Sequence, residues 1–538
     1  VKSNGGSQHT TQPVTRPTFT VFALAETRGQ IGPCGCTTDP LGDISRTAKL
    51  VAETRAAGPT LVVDAGSLLY SKAPIPAHLV AQEELKADLL VSTYQKSLEV
   101  AAVGVGPADL AAGPGKLRLP RQAANVTGIE VQPPKLVVLG GAKVGTFGVV
   151  APGAITGVEV GDPVAAGKKA VASLREQGAQ VIVGLVQAST KKDAAKLVRE
   201  IGGIDLAIAG LGLEAPEPER IVIEPQQIGD GWLVVPGNRG QIVSRLDVTI
   251  RDGGPLVDAI GSGAAEAKIA SFDRQLAALD TDLQKFAADK DADPVFIKQK
   301  EDERKALLEQ KNQLARQPLV VPAKGSYFTL QQVRINKTLA CDEPVQSAVT
   351  AFYAAAGEAN LKAAAKVPVP PPAKGQAGYV GQAACEDCHD EAAKFWKSTR
   401  HAGAWETLVD RGQQFDFDCI GCHVTGWNEK GGANLAHNEP LRDVQCETCH
   451  GPGSIHVAKG GEEKPLAIAL APPQDLCLSK CHTKDHSDTF QWEAYMRDIV
   501  GPGHGADARA RLGDGPSGGQ LRKAALAKAG RMGPGCIR

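Results

Sequence analysis

Apolar runs and helical patterns alternate along the first half of the chain. Strand-like runs rich in β-branched residues occur at Phe19–Ala23, Thr60–Val63, Lys135–Leu139, Val181–Leu185 and Leu206–Ala209. Between them, Ser45–Ala57 and Val164–Gln177 carry apolar residues at helical spacing. Strands that alternate with helices in this way favour a layered α/β domain built around a central sheet. We place this domain at residues 18–262, after a polar stretch at 1–17 that is typical of a flexible tether.

The pattern changes after residue 262. Ala264–Ala288 and Val295–Arg316 are charged stretches with leucines at helical spacing, separated by a break at Asp291–Pro294. This arrangement predicts an antiparallel helical hairpin. We interpret the hairpin as a solvated spacer or a small docking arm, and a partner-binding coiled coil is the alternative. Together with a connecting segment behind it, the hairpin is predicted to occupy residues 263–366.

A proline-rich segment marks the clearest domain boundary. Residues 367–378 begin Val-Pro-Val-Pro-Pro-Pro, which favours a stiff, extended linker. A mostly helical and loop-rich domain is predicted behind the linker, over residues 379–505. The remaining residues, 506–538, are rich in Gly and Ala and are interpreted as a surface tail. The chain is therefore predicted to be multidomain, with an α/β part, a helical hairpin and a mostly helical C-terminal domain.

The charge balance argues against some classes of partner. The 538 residues contain 59 Lys and Arg against 60 Asp and Glu, which gives a net charge of −1. A neutral chain is not typical of proteins that bind nucleic acid or anionic membranes. No run of 18 apolar residues occurs, so no membrane span is predicted.

The C-terminal domain carries four cysteine pairs, each followed at once by a histidine. They are Cys385-Glu-Asp-Cys388-His389, Cys419-Ile-Gly-Cys422-His423, Cys446-Glu-Thr-Cys449-His450 and Cys477-Leu-Ser-Lys-Cys481-His482. The first three have the spacing C-x-x-C-H, the signature of covalent c-type haem attachment, and the fourth is one residue longer. In this chemistry the two thiols add to the vinyl groups of the porphyrin, and the adjacent histidine supplies the proximal nitrogen to iron.

A single motif of this kind is also compatible with a zinc knuckle or a redox dithiol. Three strict copies and one near copy, each with its own histidine, favour four covalently attached haem c groups instead. Covalent haem is attached outside the cytoplasm. We therefore expect a periplasmic, outer-membrane-associated or extracellular protein, whose tether follows a removed leader or a lipid anchor.

The remaining ligands to iron are predicted to be histidines. The chain has two methionines, Met496 and Met532, which are too few to supply a sixth ligand to four irons. All histidines except His9 and His78 lie in the 379–505 domain. Besides the four proximal histidines, this domain contains His401, His437, His456, His486 and His504. Five additional histidines near four irons favour bis-histidine coordination, which leaves iron without an open position and suited to electron transfer.

Four short sequence segments of this domain are distinctive. They are Trp396–His401, Cys419–Gly426, Gln445–His456 and Phe490–Ile499. In these segments, the c554-like phrases, the domain resembles the tetrahaem cytochrome c554-type domain of nitrifying bacteria. The resemblance implies that His401 and His456 are distal ligands, that His486 and His504 come next, and that His437 is the spare. One haem of that family lacks a distal ligand, so the resemblance also implies one iron that is open to a small molecule.

Six segments of the α/β half follow one another in an order known from another family. They are Gly42–Arg46, Leu61–Gly66, Ala124–Val126, Lys143–Val149, Gly203–Gly210 and Pro236–Gly240. In these segments the chain resembles the metallophosphatase domain of the periplasmic 5′-nucleotidases of the UshA type. The resemblance implies a metallophosphatase-like α/β sandwich, which in that family holds two metal ions with Asp, His and Asn side chains.

The chain departs from that family at the metal ligands. At the positions where the family has its metal-binding segments, this chain has other residues. They are Glu26-Thr-Arg28, Gly66-Ser67, Gly104–Pro107, Gln187 and Gly210–Leu213. Asn125 remains, but one asparagine does not hold two metal ions. We therefore expect a phosphatase fold that has lost its catalytic metal site, and we place a working nucleotidase last among the functions considered.

Four cysteines lie outside the haem motifs, namely Cys34, Cys36, Cys341 and Cys536. Cys34-Gly-Cys36 falls in the loop where the phosphatase family begins its active site. A redox or metal role is one interpretation, and structural pairing, for instance of one of the two with Cys341, is the other. This loop and the fusion itself are similar to the UshA-like (seleno)proteins with multihaem cytochrome modules of the ExtKL type, which implies a part in extracellular electron transfer.

Three functions follow from these observations. The first is electron transfer between redox proteins, with other multihaem cytochromes or further copies of this chain as partners and the phosphatase-like half as scaffold or docking module. The second is reduction of a small nitrogen or sulfur oxide at one five-coordinate haem. The third extends the first and makes the chain a subunit of a cytochrome filament or surface complex. We predict the first, in which the chain is an electron carrier rather than an enzyme.

Overall fold

A computed structural model describes residues 18–33, 35–212, 224–252, 254–259, 262–288, 294–316, 321–461 and 469–537. The strands are β1 (Phe19–Leu24), β2 (Thr60–Asp64), β3 (Ala102–Val103), β4 (Val126–Thr127), β5 (Lys135–Leu139), β6 (Ala142–Val150), β7 (Glu159–Val160), β8 (Val181–Gln187), β9 (Leu206–Gly210), β10 (Gln226–Ile228), β11 (Gly231–Val234), β12 (Ile242–Thr249), β13 (Val257–Asp258) and β14 (Tyr327–Arg334). The α-helices are α1 (Ile44–Ala57), α2 (Val80–Lys96), α3 (Pro163–Glu176), α4 (Lys191–Ile201), α5 (Ser262–Ala288), α6 (Pro294–Arg316), α7 (Glu343–Ala364), α8 (Ala383–Glu386), α9 (Asp390–Lys397), α10 (Ala404–Val409), α11 (Cys446–His450), α12 (Ser454–Ala458), α13 (Gln474–Lys480), α14 (Trp492–Ile499), α15 (Ala506–Ala510) and α16 (Gly518–Lys528).

Two six-stranded sheets form the body of the α/β half. The first has the strand order β13-β14-β12-β1-β2-β3, and the second has the order β10-β11-β9-β8-β6-β5. Strands β1, β2 and β3 run parallel to one another, as do β6, β8, β9 and β11. The carboxyl ends of such strands lie at one edge of a sheet, where α/β proteins place their ligand sites.

Alternating residues of β1 show how the layers are arranged. Phe19 and Val21 are fully buried against residues of the second sheet such as Leu185. Phe22, one position out of phase, is buried against helical residues such as Leu90. Because successive side chains of a strand point to opposite faces, the two sheets pack face to face and helices cover their outer faces. The predicted α/β sandwich is confirmed.

Capping side chains fix where the helices begin. The Asp43 carboxylate accepts a hydrogen bond of 2.9 Å from the Ser45 backbone N–H at the start of α1. Asp162 does the same for Val164 at 2.8 Å, ahead of the proline that opens α3. Such caps satisfy backbone donors that the first helical turn leaves without a partner.

The helical hairpin is an insertion into the first sheet. Helices α5 and α6 lie between β13 and β14, and Asp273 and Asp280 of α5 form ion pairs with Lys311 and Arg304 of α6. As the position on α5 advances, the position of the partner on α6 recedes, so the two helices are antiparallel. The insertion rejoins the sheet at a strand next to the one that it left.

The segment behind the hairpin belongs to the α/β body and does not merely connect two domains. Strand β14 pairs with β12 over its whole length, from Tyr327 opposite Thr249 to Arg334 opposite Ile242. Helix α7 contributes Phe352 to the apolar core beneath α1 and α2. The boundary that we placed at residue 262 therefore divides a continuous sheet, because the strand that completes it comes about 65 positions later.

The C-terminal region is built from short helices and turns. Helices α8 to α14 have between 4 and 8 residues, and a small apolar core gathers around Trp405, Ile420 and Leu435. Helix α16 of the tail packs against α14. A disulfide joins Cys536 to Cys341, in the loop before α7. The expectation that Cys341 pairs with Cys34 or Cys36 is therefore wrong.

Within the parts of the chain that the structure describes, no helix combines the length and the apolar character needed to cross a lipid bilayer.

Candidate functional site

Each of the four cysteine–histidine motifs forms a turn of helix. The first lies in α8 and the turn behind it, the second in a 3₁₀ turn at Ile420–Cys422, the third in α11, and the fourth in α13 and its end. The His389 N–H donates to the Cys385 carbonyl at 2.9 Å, and in the longer fourth motif the His482 N–H reaches the Cys477 carbonyl at 2.8 Å. The additional residue of the fourth motif is therefore accommodated by a wider turn. All four motifs keep the two thiols and the histidine close together.

The four motifs adjoin one another in a single row. The thiols of Cys385 and Cys446 lie beside each other, and their interaction raises the pKa of Cys385 and lowers the pKa of Cys446. The thiols of Cys422 and Cys481 also lie beside each other, and their interaction lowers the pKa of Cys422 and raises the pKa of Cys481. The Cys449 thiol also lies within electrostatic range of Cys477. The first motif thus neighbours the third, the third neighbours the fourth, and the fourth neighbours the second.

Two pairs of histidine rings face each other. The ring centroids of His389 and His456 are 6.4 Å apart, with the planes inclined at 30°. Those of His401 and His482 are also 6.4 Å apart, with the planes at 42°. Two imidazoles bound to opposite sides of one metal ion through bonds of about 2 Å have their ring centroids roughly 6 Å apart. Each pair therefore has the spacing that one iron atom between the rings requires.

Hydrogen bonds orient the proximal histidines of the second and third motifs. The Nδ1 atom of His423 lies 2.5 Å from the Ala404 carbonyl oxygen, and that of His450 lies 2.7 Å from the Ala469 carbonyl oxygen. A carbonyl only accepts, so Nδ1 carries the proton in both rings and Nε2 keeps a free lone pair. Histidines that bind metals are commonly held in this way.

Burial favours the neutral form of three histidines of this region, which is the form that binds a metal. Burial lowers the pKa of His423, and it lowers the pKa of His482 to about 4, with the nearby His401 as a further cause. Burial alone lowers the pKa of His401. The two rings that face each other across the fourth motif are therefore both unprotonated at neutral pH.

The other candidate ligands lie apart from such pairs. The exposed His486 exchanges a 2.8 Å hydrogen bond with the Thr483 hydroxyl, and the His437 backbone N–H donates to the Asn434 side chain. The His504 ring meets Phe395 edge-on at 6.3 Å. Among the described residues, no second histidine ring is in stacking range of His423 or His450. The structure thus brings two of the five predicted distal histidines opposite a proximal one.

A buried ion pair occupies the α/β positions at which the sequence resemblance led us to look for the first metal ligands. The Arg28 Nε atom lies 3.1 Å from the Glu26 carboxylate, and both side chains are almost fully buried. The other carboxylate oxygen of Glu26 accepts from Gln187 at 3.1 Å and from the Gly212 N–H at 2.8 Å. Glu26, Arg28 and Ser67 all have φ between 49° and 60°, a region that non-glycine residues rarely adopt. An internal guanidinium therefore supplies positive charge here.

The neighbouring acidic groups are satisfied in the same way. Asp64 accepts hydrogen bonds from the Tyr94 hydroxyl at 2.7 Å and from the Gly66 N–H at 2.7 Å. Burial raises the pKa of Asp64 to about 7, against these hydrogen bonds. The Asn125 amide, which the sequence left as the surviving ligand, is held by the Val150 backbone. Within the described ranges, no group of three or more His, Cys, Asp or Glu side chains is arranged to hold a metal ion.

The cysteine loop of the α/β half touches the haem-motif region. Burial raises the pKa of the Cys36 thiol, and Arg411, Cys422 and Arg522 lie within electrostatic range of it. The Cys36 carbonyl oxygen accepts a hydrogen bond from Arg522. Cys34 lies outside the described residues, so the redox or metal role expected for the pair stays a prediction.

Sequence reasoning missed the side chains that join the two halves. Lys86 and Gln82 of α2 contact Asp416 and Asp418, just ahead of Cys419. Nothing in the local pattern of α2 distinguishes these positions from an ordinary polar face. The available signal was the acidic pair Asp416 and Asp418 just before the second haem motif, because two such carboxylates are expected to have a basic or amide partner.

Comparison with known proteins supports both resemblances. The family model described as "Cytochrome c554 and c-prime" matches residues 384–451. The cytochrome c-554 of Nitrosomonas europaea is 39% identical over 93 residues, which cover 14% of this chain and 40% of that protein. The chain thus spans two fifths of the length of this curated relative. The resemblance of the C-terminal region to cytochrome c554 is confirmed.

Solved structures give counterparts of the α/β body. A 5′-nucleotidase precursor from Thermus thermophilus has 18% identity and a TM-score of 0.42, and the match covers 66% of this chain and 61% of that one. A calcineurin-like phosphoesterase from Bacillus subtilis has 21% identity and a TM-score of 0.34, and the match covers 44% of this chain and 86% of that one.

Proposed function

We propose that the protein is an extracytoplasmic c-type cytochrome that carries four covalently attached haem groups and transfers electrons between redox proteins. The observation that carries the proposal is the facing of His389 with His456 and of His401 with His482, each at 6.4 Å. Both pairs join the histidine of a cysteine motif to one of the additional histidines that the c554 resemblance indicated. Haem c bound there supplies an iron that changes oxidation state without opening a coordination site.

The haems are attached through Cys385 and Cys388, Cys419 and Cys422, Cys446 and Cys449, and Cys477 and Cys481. The iron ligands are His389 with His456, His482 with His401, and the proximal His423 and His450. His486, His504 and His437 are the candidates for the remaining two positions. The adjoining thiols of Cys385 and Cys446, and of Cys422 and Cys481, support short distances between haems within each pair of motifs.

The partners in this proposal are redox proteins, among them other multihaem cytochromes or further copies of the chain. The location is the periplasm, the outer membrane or the cell exterior, and the role is in an extracellular electron-transfer chain, a cytochrome filament or a surface complex. The expected reducing and oxidising partners exchange electrons without substrate binding at the iron.

A second candidate function is reduction of a small nitrogen or sulfur oxide at one open iron. The observation that favours it is the engagement of His486 with Thr483 and the contact of His504 with Phe395. Because His486 and His504 are held in these contacts, neither ring is paired with the proximal histidine of the second or the third motif. Those proximal histidines, His423 and His450, are nevertheless oriented to bind iron.

Electron paramagnetic resonance of the oxidised protein, before and after addition of NO, separates the two functions. Four low-spin signals that NO does not change are the expected result and mean four closed irons. A high-spin signal that NO abolishes means one open iron and supports the reductase. Mass spectrometry of the denatured protein gives the number of covalent haems, and any number other than four contradicts the proposal.

A further inference from the structure

Helix α2 of the α/β body contacts the chain directly ahead of the second haem motif. The Lys86 ammonium lies 2.7 Å from the Asp418 carboxylate and 3.2 Å from that of Glu83. Lys86 is 7% exposed and Glu83 is 1% exposed. Asp418 is the residue immediately before Cys419. A buried cation of one domain is thus paired with an anion at the base of a haem attachment site in the other.

Two amides extend this contact. The buried Gln82 donates to the Asp416 carboxylate at 2.8 Å and also reaches Asp418 at 3.3 Å. Asn360 of α7 donates to the Gln82 side-chain oxygen at 2.8 Å and to the Phe415 carbonyl at 2.9 Å. Both amides are 1% exposed or less. Residues 415–418 are therefore held by side chains from two helices of the α/β body.

The held segment is continuous with the motif itself. The Asp416 carbonyl accepts the backbone N–H groups of Cys419 at 3.1 Å and of Ile420 at 3.0 Å. The Asp416 carboxylate accepts the Asp418 N–H at 2.9 Å. Any movement of this segment is therefore transmitted to the cysteine that binds the porphyrin.

The charges of the cluster act at short range. The carboxylates of Asp418 and Glu83 outweigh the effect of burial and raise the pKa of Lys86, while burial raises the pKa of Asp416. Lys72 and Arg239 also act on Asp418, and Tyr353 faces Asp416 and Lys86. Charges that are removed from water interact more strongly than charges at the surface. Lys86 is almost fully buried but Asp418 is half-exposed, so their ion pair is expected to contribute little to stability. Its position directly before Cys419 points to a role in placing the motif.

We propose that Lys86 is a positioning residue for the second haem, and that the α/β body, through Lys86, Gln82 and Asn360, fixes the second motif and sets the potential of the iron that it binds. This inference rests on the proposed attachment of haem to Cys419 and Cys422. It gives the α/β body a role in electron transfer that needs no metal site of its own.

The direction of the electrostatic effect follows from charge. Reduction adds an electron, so a nearby cation favours the reduced haem and a nearby anion favours the oxidised haem. Removal of the Lys86 charge is expected to lower the potential of the second haem. Removal of the Asp418 charge is expected to raise the potential of the same haem.

The test is an optical redox titration of the full-length holoprotein and its variants. Each haem gives one wave in the titration, and the midpoint of the wave is the reduction potential of that haem. Lys86→Met and Asp418→Asn are expected to shift the midpoint of one of the four waves in opposite directions, and Lys86→Arg is expected to restore the wild-type midpoint. Lys96→Met, on the exposed far end of α2, is the matched control and leaves all waves unchanged. The Cys419→Ala/Cys422→Ala double variant identifies the wave, because it lacks that haem.

Unchanged waves in both variants, shifts of the same sign, or equal shifts of all four waves overturn the inference. Asp418 is half-exposed, so Asp418→Asn keeps the test decisive if Lys86→Met does not fold. The proposed function fails separately, if the wild-type protein carries no covalent haem by mass spectrometry.

Discussion

The α/β body and the C-terminal region treat their reactive side chains in opposite ways. In the body, Glu26 and Arg28 satisfy each other, and Asp64 is saturated by Tyr94 and a backbone N–H. In the C-terminal region, His423 is held by Nδ1 alone and its Nε2 is left for another partner. A polar group that is fully paired within the chain is structural, whereas a group that is oriented by one atom with the other free is prepared to bind. This distinction separates the mutually paired polar groups of the body from the histidines of the C-terminal region, which keep one ring nitrogen free for a ligand.

The two regions also differ in their apolar cores. Three large clusters of buried side chains fill the space between and outside the two sheets. The C-terminal region has a smaller cluster around Trp405 and Ile420. Large prosthetic groups are expected to complete the packing there, so removal of a haem disturbs structure as well as chemistry.

The largest expected effect is removal of one haem from the third motif. The Cys446→Ala/Cys449→Ala variant is expected to lose one covalent haem and to lower the thermal stability of the C-terminal region, while the unfolding of the α/β body is unchanged. Mass spectrometry counts the haems. Tryptophan fluorescence follows the unfolding, with Trp232 reporting on the body and the other four tryptophans on the C-terminal region.

The matched control for this variant is Cys36→Ser, which removes a thiol outside the motifs. It is expected to retain four haems. A haem number that does not change in the Cys446→Ala/Cys449→Ala variant, or that falls in the control, would contradict the assignment of the motifs.

A smaller effect is expected when the internal ion pair of the body is broken. Arg28→Met leaves the buried Glu26 carboxylate without its cation, which costs about 3–5 kcal/mol of unfolding free energy. Urea denaturation followed by Trp232 fluorescence measures the loss, and the haem spectrum stays unchanged. The double variant Glu26→Gln/Arg28→Met is expected to recover part of the stability.

Lys49→Met is the control for this measurement, because Lys49 pairs with Glu53 at the surface. Exposed pairs of this kind contribute on the order of 0–1 kcal/mol. Equal losses in Arg28→Met and Lys49→Met would mean that the buried pair does not hold the site together.

A third effect, spread over several pH units, is a pH dependence carried by Asp64. Its pKa is about 7 in the folded protein against an ordinary value of 3.8, so the folded state binds the proton more tightly. The contribution of Asp64 to stability is therefore highest below about pH 4 and falls as pH rises towards 7, by up to ~1.4 kcal/mol for each pH unit. Asp64→Asn removes this dependence.

The measurement compares unfolding free energies of the wild type and Asp64→Asn between pH 4 and pH 8. The unfolding free energy of the variant is expected to rise relative to that of the wild type as pH increases to about 7. Above pH 7 the difference between the two is expected to stay constant. A difference that stays constant over the whole range would show that Asp64 does not titrate in this window.

Local sequence signals predicted the elements well where the signal itself is local. The apolar run at Phe19–Ala23 matches β1. The Cys-x-x-Cys-His spacing located three of the motif turns, and its longer Cys-x-x-x-Cys-His variant located the fourth. The helix that begins at Ile44 was predicted because an amphipathic pattern does not depend on distant partners.

Features that depend on distant residues were not predictable in the same way. The pairing of β14 with β12 joins positions about 80 residues apart. The strand pattern of Tyr327–Arg334 predicts a strand, but it does not indicate which other strand pairs with it. The Cys341–Cys536 bond was missed because spacing does not give disulfide connectivity. The resemblance of Trp396–His401 to cytochrome c554 indicated His401 as a ligand. That His401 lies opposite His482 is visible only in the folded structure.

The bond between Cys341 and Cys536 makes the C-terminal half of the chain a closed ring. Residues 342–535 lie within this covalent loop, and the proline-rich linker at 367–378 is part of it. A protease that cuts once in the linker therefore leaves the two fragments attached until a reductant opens the disulfide. Outside the cytoplasm, where disulfides persist, such a nick does not release the haem-motif region from the α/β body.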